Sequence, residues 1–148
     1  MRKILTTILL LALTNAGSII SASDDTPEKP FKGRFYNDEH KIYIDINLYD
    51  HNVVIPMQEV LGELDGYIAS DQCGTTWCIV SSETKGNKAT IDVINNYGSE
   101  DFRASLQIIG DSILNYSHKG GSTLKFPVNR KWQKIPSQVT FKRKKERP

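Results

Sequence analysis

Few side chains in this sequence could do chemistry. Its three histidines, His40, His51 and His118, each fall in or beside a predicted turn. A metal site needs three or four ligands converging on one point, and nothing in the spacing of these three demands that. They are read as surface residues. Serines are numerous, but there is no G-x-S-x-G and no catalytic signature around either cysteine. Phosphate-binding and dinucleotide-binding glycine patterns are absent as well. Glu59, Glu63, Asp65, Glu100 and Asp101 could form an acid pair only if folding brought two of them face to face. Asp92, Asn95, Glu100 and Asp101 are rich in oxygens of the kind calcium takes, without the spacing of an EF-hand loop. The residues therefore predict no catalytic site, metal or cofactor, and a chain that is not an enzyme.

The two cysteines suggest a structural role. Cys73 and Cys78 bracket Gly-Thr-Thr-Trp. Five steps along an extended strand span ~16 Å, too far for a disulfide. Folded back at Gly74 the pair could meet, so a disulfide closing a small loop is expected. Trp77 would then sit in a rigid loop as a candidate plug for a partner's cleft. Tyr43, Tyr49 and Tyr97 complete the candidate binding residues. Tyrosine supplies contact area at low entropic cost, although cross-strand aromatic packing would use the same residues internally.

These groups would be carried by strands. Ile42, Ile44, Ile46 and Leu48 alternate with Tyr43, Asp45, Asn47 and Tyr49, the period of a half-buried strand. Asp50-His51-Asn52 reads as a turn, and Val53-Val54-Ile55 as the start of the return strand. Met57 to Gly66 could hold one helical turn, with a short strand following around Tyr67 and Ile68. Thr76–Ser82 and Lys88–Asn95 flank Lys85-Gly86-Asn87 as a hairpin. Phe102, Ala104, Leu106 and Ile108 alternate inward along a further strand. Strands are also expected over Ser112–Ser117, Thr123–Val128 and Val139–Lys142. Trp132 is expected to anchor the last connection. Nine or ten short strands without a long amphipathic helix predict an all-β domain. A small antiparallel meander barrel is favoured over a sandwich, because closure removes sheet edges.

At the N-terminus, Met1-Arg2-Lys3, the apolar run Ile4–Ile20 and the small residues Ser21-Ala22-Ser23 follow the secretory layout. The chain is thus expected to divide into a signal peptide over 1–23, a Pro-containing linker over 24–32, a barrel over 33–144 and a basic tail over 145–148. This implies a periplasmic or secreted protein with no membrane span after cleavage. Of the 19 Lys and Arg and 17 Asp and Glu, Arg2 and Lys3 leave with the signal, so the remainder is formally neutral. Neutrality removes any global argument for nucleic acid or an anionic membrane as partner.

The opening Gly33-Arg34-Phe35-Tyr36, the run of hairpins and the Trp132 connection before a final strand resemble small lipocalin-like (calycin) barrels. They are similar also to small exported bacterial proteins that have not been characterised. The G-x-W of lipocalins is missing, since Arg34 and Phe35 follow Gly33. The resemblance implies an architecture and no binding residues. The function expected is that of an exported binding protein acting through protein or small-ligand contact. An inhibitor or immunity protein against a toxin or cell-wall hydrolase is the first alternative, and a small hydrolase the second.

Overall fold

A computed structural model describes residues 29–144. The expected signal peptide (1–23), the first part of the linker (24–28) and the tail (145–148) lie outside the described residues. Eight strands close an antiparallel barrel: β1 (Lys32–Asn37), β2 (Ile42–Asn47), β5 (Gly66–Ser70), β6 (Thr76–Lys85), β7 (Lys88–Asn95), β8 (Asp101–Ile109), β9 (Ile113–Gly121) and β12 (Gln138–Arg143). They run around the barrel in chain order, and β12 returns to pair with β1. The expected meander barrel is therefore the observed fold, and its eight-stranded architecture is compatible with the lipocalin-like resemblance.

Alternation drives closure. Ile42, Ile44 and Ile46 point inward with Phe35, Ile68, Ile91, Val93 and Leu106, all at most 1% exposed. Phe102, Ala104, Leu106 and Ile108 face inward as their spacing predicts. Packed this way, the interior is a side-chain core. The core starts earlier than expected, because Phe31 is fully buried and Lys32 already belongs to β1.

Two insertions interrupt the meander. Between β2 and β5, the pair β3 (Val53–Val54) and β4 (Glu63–Leu64) brackets a single 3-10 turn over Glu59–Leu61. This segment is a flap against the outer wall. The return strand expected at Val53–Ile55 is thus corrected: β3 pairs with β4, and the partner of β2 is β5. Tight spacing explains β5's start. At Gly66 a Cβ would collide with the backbone of Asp45 and Ile46.

Between β9 and β12, β10 (Lys125–Val128) and β11 (Lys131–Lys134) form a hairpin. Its two-residue turn, Asn129-Arg130, has φ of 52° and 65°, as a type I′ turn requires. Leu124, Phe126 and Ile135 join the core from this insertion. Trp132, the expected anchor, instead stands 57% exposed on β11. The alternation explains it: Phe126 is paired with Gln133, so Trp132, paired with Pro127, lies on the opposite face.

One arginine locks the seam. Arg143 donates from Nε to the Asp111 carbonyl (2.6 Å), from Nη1 to Lys32 (2.6 Å) and from Nη2 to Pro30 (2.8 Å). Its guanidinium also lies over the Phe35 ring at 4.4 Å. Gly33, with φ 123°, leaves the room: a Cβ there would lie 2.8 Å from Arg143 Nη1.

Candidate functional site

Strand parity decides where the candidate residues land. Trp77 and Ile79 point into the barrel, while Cys78 between them points out. Trp77 is 1% exposed, packs on Phe102 at 5.3 Å between ring centres, and donates its indole N–H to the Lys125 carbonyl at 3.0 Å. The exposed plug is therefore corrected to a core residue that ties the β10–β11 insertion to the barrel. The expected disulfide fails for the same reason. Cys73 packs against the interior cluster and Cys78 belongs to the outer one, and both thiols are free. Burial raises the Cys78 thiol pKa above its ordinary value, only partly offset by a hydrogen bond with Thr76.

The three tyrosines separate. Tyr49 is half-buried, and its hydroxyl accepts the Phe31 backbone N–H at 3.0 Å. Tyr43 lies on the outer wall beneath the Arg34 guanidinium, 4.5 Å from its ring centre, with the Tyr36 ring at 5.4 Å and the Tyr67 ring at 5.9 Å. Arg34 also holds Asp45 through Nε (3.0 Å) and Nη2 (2.8 Å). Both are internal packing of the kind that stiffens a sheet. Tyr97, in the β7–β8 turn, is 76% exposed and stays available for contact.

Tyr97 borders a surface that alternation could not reveal. Ile55, Tyr67, Ala69 and Cys78 form a second core between the flap and the outer wall. Ile55 and Leu64 point down into it, which turns Met57 and Val60 outward. Met57 is 89% exposed and Val60 94%. Leu61, Leu64, Cys78, Val80, Ile94 and Tyr97 line an adjoining groove of about 400 Å³, predominantly apolar. Of the eight large apolar side chains exposed among the described residues, six belong to the flap or this groove. Isolated exposed apolar residues are ordinary, but a contiguous patch marks an interaction site.

At the base of the flap, where the insertion leaves and rejoins the barrel, lies a polar constellation. His51 Nδ1 sits 2.5 Å from Asp65 Oδ1, and Ser82 Oγ donates to Asp65 Oδ2 at 2.5 Å. Asp65 is buried, whereas the His51 side chain is about half exposed. A histidine thus lies beside an acid, which the spacing of fourteen residues concealed. The order differs from a nucleophilic triad, because the serine bonds the carboxylate and not the imidazole.

The other oxygen-bearing residues are engaged separately. Asp92 takes Arg103 (2.8 Å) and Ser81 (2.8 Å). Asn95 accepts the backbone N–H groups of Ser99 and Glu100. Glu100 pairs with Lys125 at 3.0 Å. Among the described residues no group of three or more His, Cys, Asp or Glu side chains could hold a metal.

Charge is sorted around the barrel. From Ile42 to Thr84 there is no lysine or arginine, against Asp45, Asp50, Glu59, Glu63, Asp65, Asp71 and Glu83. From Phe102 to Lys144 the only acid is Asp111, against Arg103 and eight further cations. The first stretch builds β2, the flap, β5 and most of β6; the second builds β8 after its first residue, the exposed Asp101, together with β9, the β10–β11 hairpin and β12. In the strand order these are opposite walls.

Comparison with known proteins places the chain in no group: no family model, no curated protein and no solved structure matches it.

Proposed function

We propose that the chain is an exported, non-enzymatic binding protein that works in the periplasm or outside the cell, and that the flap and its groove contact a protein partner. One observation carries this reading: the clustering of exposed Met57, Val60, Leu61, Val80 and Tyr97 on one face of a barrel whose interior is filled by its own side chains. The interior packing favours protein contact over a small ligand held in the barrel. Glu59 and Glu63 flank the patch, the stretch Ile42–Thr84 that builds most of this wall holds no lysine or arginine, and Arg34, which reaches it from β1, is neutralised by Asp45. The partner that fits therefore presents an apolar anchor ringed by lysine or arginine, as charge complementarity requires. An inhibitor or immunity protein directed at a basic toxin or wall hydrolase is the specific form this would take.

The test uses residues 24–148 as bait for extracellular and periplasmic proteins, followed by titration of any captured protein in purified form. Val60→Asp adds an acid to the centre of the apolar patch without touching the core. Binding that weakens by tenfold or more, and that falls with added salt, supports the reading. Equal affinity of wild type and Val60→Asp overturns it.

A second reading, a small hydrolase, is favoured by the His51–Asp65 pair. An acid that holds Nδ1 leaves Nε2 free to take a proton from water. Hydrolysis of a wall or sugar substrate that is abolished by His51→Ala, with the fold intact, would establish this reading in place of the first.

A further inference from the structure

We infer that the basic wall is a docking surface for an anionic lipid bilayer, with the β10–β11 hairpin as its contact point. Formal neutrality argues against such a partner only while charge is averaged over the whole molecule. The structure sorts the charge, and one wall is strongly basic. Arg130, Lys131 and Lys134 are exposed on the hairpin. Lys119 and Lys142 are exposed on the neighbouring strands β9 and β12. None of these five has an ion-pair partner among the described residues, whereas Arg103 and Lys125 are neutralised by Asp92 and Glu100.

The hairpin carries more than charge. Trp132 shares its outward face with Lys134, because Pro127 pairs with Trp132 and Lys125 with Lys134. The Lys125 ammonium, paired with Glu100, lies 5.3 Å from the Trp132 ring centre, so the cations free to meet an anion near the indole are those of Lys134 and the turn residue Arg130, on a rigid two-stranded support. An indole is apolar in body and polar at its N–H, and it concentrates at the bilayer–water boundary. Cations beside it would meet lipid phosphates at that depth. A polysaccharide polyanion would use the lysines and arginine but give the indole nothing apolar to enter. That difference commits the surface to a bilayer. Docked this way, the protein would turn its acidic flap wall away from the membrane.

The protein has two tryptophans, and they report separately, because Trp77 is buried and Trp132 is exposed. Residues 24–148, which contain the whole closed barrel, are mixed with vesicles of phosphatidylcholine alone or with added phosphatidylglycerol. The expected result is co-sedimentation with the phosphatidylglycerol vesicles only, with a blue shift of tryptophan emission that Trp132→Phe removes. Each cation near an anionic surface contributes about fivefold to binding, so Arg130→Gln/Lys131→Gln/Lys134→Gln should weaken it by about a hundredfold. Its unfolding midpoint should stay at the wild-type value, since all three side chains are exposed. Failure to sediment with either vesicle overturns the proposal. So does sedimentation that the triple variant retains, which would assign binding to residues beyond the hairpin. Binding of heparin equal to that of vesicles, with no blue shift, would make the surface a polyanion site and overturn the lipid assignment.

Discussion

At the residue scale, Trp77 and Tyr116 show opposite consequences of burial. Trp77 fills the core and satisfies its N–H on Lys125. Trp77→Ala should therefore cost about 3–5 kcal/mol in urea unfolding, the usual range for a large aromatic removed from a core. A variant as stable as wild type would mean that the indole is not packed as described. The Tyr116 hydroxyl is buried with no hydrogen-bond partner among the described residues. Removing an unpaired buried hydroxyl costs nothing, so Tyr116→Phe should be neutral or stabilising by up to about 1 kcal/mol. Burial also pushes the Tyr116 phenol above its ordinary value of 10.0. Tyr67 shifts the same way, through burial first and then its interaction with Tyr43. The sign follows from proton linkage. Below about pH 10 both folded and unfolded chains hold these protons. Above it the unfolded chain releases them first, so stability falls as pH rises from about 10 towards the folded values. Circular dichroism against pH should show alkaline unfolding, displaced to higher pH in Tyr116→Phe.

The element that matters most is the flap, because it makes one surface and hides another. Ile55 and Leu64 hold it on Tyr67, Ala69 and Cys78, and Met57 and Val60 are left outward as a result. Weakening that anchorage should open the flap locally without unfolding the barrel. Ile55→Ala, at about 2 kcal/mol, corresponds to roughly thirtyfold more frequent opening. Thiol labelling should show Cys73 reacting before Cys78 in the wild type, and Cys78 accelerating in Ile55→Ala. Unchanged Cys78 labelling would mean that the flap is not what protects it. The element scale is also where the sequence was most and least legible. Strict alternation identified β2, β7 and β8, because one face of each meets a continuous apolar interior. The same parity was present in Thr76-Trp77-Cys78-Ile79, where Trp77 keeps step with Ile79 and Cys78 falls opposite. Followed through, it would have placed Trp77 inside and the two cysteines on different sides of the sheet. The flap was harder to foresee. Val53-Val54-Ile55 has the composition of a core strand but packs on the outside of the barrel, where aliphatic residues find a second, smaller core. The approach of His51 to Asp65 depends on how that insertion folds, and no local spacing encodes it.

For the whole molecule, closure depends on a narrow seam. The pairing of β1 with β12 is short, with Phe35 opposite Arg143 and Tyr36 opposite Lys142. Arg143 extends it by gripping three carbonyls from both sides of the gap, at Pro30, Lys32 and Asp111. Arg143→Met removes the guanidinium from the Phe35 ring and leaves those carbonyls without their charged donor. A loss of about 2 kcal/mol is expected for hydrogen bonds of this kind. It should appear as a lower urea midpoint with a single cooperative transition, since barrel and seam unfold together. A variant as stable as wild type would show that the backbone pairing alone suffices.

The seam also sets the order in which the chain can finish folding. Its first strand has to wait for its last as the polypeptide emerges, whether from a ribosome or through a secretion pore. Until Gln138–Arg143 appears, both β1 and β9 present an unpaired edge. No closed barrel exists earlier to obstruct a narrow passage, so a polypeptide threaded N-terminus first would complete its fold only once its final strand had reached the far side.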